Sequence, residues 1–85
     1  MENYPFLNEA LTRVVTRLRK DAGLSQQRLA ELSSFARVYL LQLEQGRFRP
    51  TLNSIFFLAR GLGLKPQKLV ELIEDERCRM ENGQP

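Results

Sequence analysis

The chain's 85 residues suffice for one compact domain and not for two. Its 42% hydrophobic and 27% charged residues are the balance of a sequence that folds. No apolar run approaches the roughly 18 to 20 residues that span a bilayer, and no charged-then-apolar leader opens the chain, so a cytoplasmic protein without a membrane partner is expected. Histidine is absent and Cys78 is the single cysteine, which removes the commonest general base, the commonest zinc ligand and any internal disulfide. The expectation is therefore no catalytic residue, no metal and no cofactor.

Strand signals are missing, because no stretch alternates apolar with polar residues and no Asn-Gly or Asp-Gly turn separates β-branched runs. Helical spacing takes their place, and the fold expected is all-α with five helices. Leu7, Leu11, Val15, Leu18 and Ala22 fall three or four apart on a first helix that Gly23 stops. Ser25 caps a short second helix with Leu29 and Leu32 facing inward, ended by the Ser33-Ser34 pair. Leu40 and Leu43 mark the buried side of a third helix closed by Gly46, and residues 47–50 form a basic loop. Thr51 caps a fourth helix carrying Leu52, Ile55, Leu58, Ala59 and Leu62 up to Gly63. Pro66 opens a fifth helix through Leu69, Leu72 and Ile73, reaching Met80, and residues 82–85 are expected to fray. The whole of 1–85 reads as a single domain with its ordered core over about residues 7–80.

Net charge is only +3, but it is unevenly spread. Eight cations and three anions lie between Arg13 and Arg49, whereas three cations and five anions follow Pro66. The first two thirds are a candidate polyanion-binding surface and the tail is not.

Two short helices joined by a tight turn and followed by a basic loop have the geometry of a helix-turn-helix. Any helical bundle contains adjacent short helices, so the residues must carry the case. The runs LSQQRLAEL from Leu24, RVYLLQLEQG from Arg37, RPTL from Arg49 and LARGLGL from Leu58, taken together, closely resemble the XRE family of phage-repressor-like regulators, without gaps from about Leu11 to Leu69. The resemblance implies a lambda-repressor-like domain in which residues 25–33 are the first helix of the motif and residues 36–45 the recognition helix. It places Gln26, with Gln27 beside it, where relatives bond a phosphate and brace the recognition helix. It also turns Arg37, Val38, Leu41 and Gln42 toward base edges. Arg37 could take guanine O6 and N7, Gln42 adenine N6 and N7, and Val38 or Leu41 a thymine methyl. Arg47 and Arg49 would clasp phosphates, and Glu44 is expected to be structural, tying down a neighbouring Arg or backbone group. Three positions depart from the pattern: Ser34 replaces the turn Gly, Ala36 the Ser or Thr cap, and Lys65 the Ser or Asp cap of the last helix.

The partner expected is double-stranded DNA, bound at a pseudo-palindromic operator by a homodimer, since one module makes too few contacts for selectivity. Phe57 occupies a slot that is usually polar in relatives, and with Val70 and Ile73 it is the expected dimer contact. No small-molecule sensor is expected after helix five. Two other readings stay open: an antitoxin that also binds a toxin, and a helical protein-interaction module that has lost DNA binding.

Overall fold

The computed structural model describes residues 2–47 and 49–83, so Phe48 of the basic loop and Gln84 and Pro85 of the tail lie outside the described residues. Among the described residues there are five helices and no strand: α1 (Leu7–Asp21), α2 (Gln26–Leu32), α3 (Arg37–Glu44), α4 (Leu52–Gly61) and α5 (Pro66–Glu81). The all-α expectation holds, and each helix lies within a residue or two of its expected span.

Local chemistry sets these boundaries. Ser25 Oγ accepts the Arg28 amide at 3.0 Å and Thr51 Oγ1 that of Ser54 at 3.1 Å, so both predicted caps form. Gly23, Gly46 and Gly63 have positive φ and close α1, α3 and α4. Ala36 and Lys65 provide no side-chain cap to α3 and α5. The end of α5 differs from expectation: the Asn82 and Gly83 amides bond Cys78 O and Met80 O, so these two residues close the helix rather than fray.

The core unites Ala10, Leu11, Val14 and Val15 of α1 with Leu29, Ala30, Leu40, Leu43, Leu58, Ala59, Leu69 and Ile73. Four positions expected to face inward do not. Leu7 and Ala22 are exposed while Ala10 and Val14 are buried, because α1 turns the stripe between Ala10 and Val15 toward α5 and α3. Leu52, in the first turn of α4, is 71% exposed instead of inward, and Leu32, also expected to face inward, is exposed at the end of α2. Ile73 is only 5% exposed and belongs to this core, so its side chain is not available as the predicted dimer contact.

Polar ties join the helices where apolar packing ends. Tyr39 Oη and Ser54 Oγ are 2.6 Å apart, linking α3 to α4, and the Phe35 and Tyr39 rings meet at 4.7 Å between centroids. Glu76, nearly buried on α5, receives Arg13 at 3.4 Å and Arg17 at 3.3 Å from α1, and Arg79 from its own helix. The Arg79 hydrogen bond, opposed by burial and helped by the other two arginines, holds the Glu76 carboxyl below its usual range.

Candidate nucleic-acid interface

The motif is assembled by the turn between α2 and α3. The Phe35 amide reaches back to Ala30 O at 2.8 Å and the Ser34 amide to Glu31 O at 3.2 Å, the paired bonds of a Schellman closure. Such a closure needs a left-handed residue, and Ser34 supplies it at φ 59°. Arg60 of α4 donates to Ser34 Oγ at 3.1 Å and so tethers the turn from outside.

On α3, Leu40 and Leu43 point into the core and fix what faces out. Successive residues are about 100° apart round a helix, so Arg37, Val38, Leu41 and Gln42 share the opposite side. Arg37 and Gln42 are exposed, Val38 is 64% exposed and Leu41 half-buried. Gln45, exposed one turn beyond Leu41, extends this face and was not singled out from the sequence, although the same spacing places it there.

Behind that face lies a three-helix junction. Arg19 of α1 donates from Nε to Glu44 Oε2 at 2.7 Å and from Nη2 to Oε1 at 3.2 Å, while its Nη1 bonds Leu24 O at 2.9 Å. Gln26 at the start of α2 donates from Nε2 to Glu44 Oε1 at 3.1 Å. The predicted structural role of Glu44 takes this form, and Gln26 is half-buried against it while Gln27 is exposed.

The structure redistributes the sequence's positive charge. Arg13, Arg17 and Arg19 face carboxylates, and Arg28 stands 3.6 Å from Glu31 on the surface. Among the described residues, Lys20, Arg37, Arg47, Arg49, Arg60 and Lys65 make no ion pair, and Arg37, Arg47 and Arg49 flank the two ends of α3. The loop carrying Arg47 and Arg49 is tied to α1 by Asn8, whose Nδ2 donates to Gly46 O at 3.1 Å. These two arginines edge a groove of about 550 Å³ over Tyr4, Leu7, Ile55 and Val70.

Of the aromatic pair on α4, Phe57 is half-buried with the Arg60 guanidinium 4.8 Å above its ring, and Phe56 is 55% exposed. Phe56, Leu52 and Val70 are thus the large exposed apolar groups of α4 and α5.

Residues 15–69, well over half of the chain, match the helix-turn-helix family HTH_3. The chain belongs to the HTH_3 family. Its HTH_3 region spans all of α2, α3 and α4, with their turns, in agreement with the resemblance drawn from the motif residues. An uncharacterised HTH-type transcriptional regulator, y4dJ of Sinorhizobium fredii, is 41% identical over 54 residues, covering 64% of this chain and 70% of that protein. Among solved structures, the restriction-modification controller protein C.AhdI from Aeromonas hydrophila is 35% identical with a TM-score of 0.69, covering 78% of this chain and 98% of that one. The clp gene regulator ClgR from Corynebacterium glutamicum is 25% identical with a TM-score of 0.82, covering 95% and 86% respectively. HTH_3 membership and these relatives make the chain one of a family of helix-turn-helix transcriptional regulators. No described helix is long and apolar enough to cross a membrane.

Proposed function

We propose that this protein is a sequence-specific transcriptional regulator, a binding protein rather than an enzyme, that acts in the cytoplasm as a homodimer on a pseudo-palindromic operator. One observation carries the reading: the exposed face of α3 is bounded by Arg37 at its start and by Arg47 and Arg49 beyond its end, and none of the three has a carboxylate partner. A guanidinium with no internal partner is available for guanine or for phosphate, whereas Arg19 is already committed. In this reading Arg37, Val38, Leu41 and Gln42 contact base edges, Gln45 lies beside them, and Gln26, Gln27, Arg47 and Arg49 contact phosphates. The dimer forms through Phe56 and Val70, with Phe57 at the margin, because two such modules are needed for useful selectivity.

The test is selection of bound sequences from a random duplex pool, followed by titration of the selected site and sedimentation of the complex. A recovered two-fold sequence bound by two protomers is the expected result. Recovery of no preferred sequence at low ionic strength would overturn the assignment.

A further inference from the structure

The bond between Gln26 and Glu44 decides which end of the Gln26 amide faces the motif's interior. A carboxylate only accepts hydrogen bonds, so the amide nitrogen must turn toward Glu44, consuming one N–H and leaving the second free. Without that partner the terminal torsion of Gln has two nearly equivalent orientations, one of which would point the amide oxygen at an approaching phosphate. Glu44 itself is held firmly. Arg19 grips both of its oxygens fork-on-fork, and its side chain is only 6% exposed. It is also the last residue of α3, where the helix dipole disfavours an anion, so the carboxylate is out of place for α3 alone and in place for its two neighbours.

We propose that Glu44, clamped by Arg19, is a positioning residue for DNA binding: it fixes the Gln26 amide with an N–H directed at the DNA phosphate. The recognition helix thereby sets, through its last residue, the backbone contact made at the start of α2. This inference rests on the reading of Gln26 as a phosphate ligand given above.

The experiment is a double-mutant cycle between E44Q and Q26A, read as affinity for the selected duplex and for a random one, with thermal unfolding measured on each variant. Q26A is expected to weaken both affinities by on the order of tenfold, the worth of one hydrogen bond to a charged group. E44Q is expected to weaken them by a comparable factor in the parent and not at all in Q26A. The sign is diagnostic, because removing an anion near DNA through charge alone would tighten binding. A purely structural role would cost the same factor in both backgrounds, and that result would overturn the proposal while leaving Gln26 as a phosphate ligand. A Q26A variant with unchanged affinity would instead remove the Gln26 reading itself. If E44Q does not fold, R19K keeps the charge but loses the fork, and the same pattern at smaller amplitude is expected. Loss of the distinct Gln26 side-chain amide resonances in the DNA-free E44Q or R19K protein gives a readout independent of DNA.

Discussion

Ser33 and Gly61 bring α2 and α4 closer than any side chain at position 61 would permit. A methyl group there would lie 2.1 Å from Ser33 Oγ, 3.1 Å from its backbone nitrogen and 3.2 Å from Leu29 Cδ1. Gly is unfavourable inside a helix by about 1 kcal/mol relative to Ala, so close approach is the reason for it. Gly61→Ala is expected to destabilise the fold by about 2–3 kcal/mol, measured as a lower urea midpoint at unchanged slope.

The Ser33 hydroxyl in that contact is fully buried and has no hydrogen-bond partner. Ser33→Ala is therefore expected to leave stability unchanged or raise it by up to about 1 kcal/mol, and to relieve part of the Gly61→Ala loss when the two are combined. Strict additivity in urea titrations would show that the clash is absorbed elsewhere.

Ser34 holds a left-handed conformation that glycine adopts without strain. Ser34→Gly should stabilise by about 0.5–1 kcal/mol after allowing for the lost surface bond from Arg60. A higher melting temperature with unaltered DNA affinity is the expected outcome.

Arg37→Ala is expected to cost about 1–3 kcal/mol on the selected site and much less on random DNA, whereas Arg49→Ala should weaken both alike and reduce the salt slope by about 1. Equal losses on both duplexes for Arg37→Ala would remove it from the base-reading set. Fluorescence titration across a salt series separates the two patterns.

Phe56→Asp is expected to yield monomers in sedimentation with the helical content intact, since the ring is exposed and its loss leaves the core untouched. A dimer that persists would move the interface off α4.

Acid should loosen the packing of α5. Arg77 holds Glu74 at a pKa of about 2, and Arg79 lowers that of Glu76, against an ordinary 4.5. Both carboxyls are depressed in the folded state, so their contribution is complete above the unfolded value and is lost as pH falls through the folded ones. The urea midpoint should therefore fall progressively below about pH 4.5, and Glu76→Gln should flatten part of that fall while lowering the midpoint at neutral pH. An acid limb as steep in Glu76→Gln as in the parent would exclude Glu76 as a contributor.

Much of this architecture was legible because helix ends are written locally: Ser25, Thr51 and the closing glycines act within a few residues of themselves. The outward face of α3 was legible too, since Leu40 and Leu43 fix its inward side. What was hidden depends on partners far along the chain. Arg13 and Arg17 counted as free cations until Glu76, 63 and 59 residues away, was brought beside them. The junction of Arg19, Gln26 and Glu44 joins three helices across 25 and 18 residues: the resemblance implies a bracing Gln26 and a structural Glu44, but no periodicity picks out Arg19 as their partner. Phe56 and Phe57 are adjacent, so choosing between them requires the rotation of α4, which is set by Leu58 and Ala59 packing inward. On α5 the same kind of rotation turns Ile73 into the core.

The engagement of Arg13, Arg17 and Arg19 by carboxylates also bears on the target search that the proposed function implies. Glu76 and Glu44 offset only part of that charge, since Glu76 stands against Arg13, Arg17 and Arg79 together, so α1 adds a diffuse attraction to that of the unpaired cations flanking α3. Under the proposed function, association with duplex is therefore expected to slow as ionic strength rises, which a stopped-flow salt series would show.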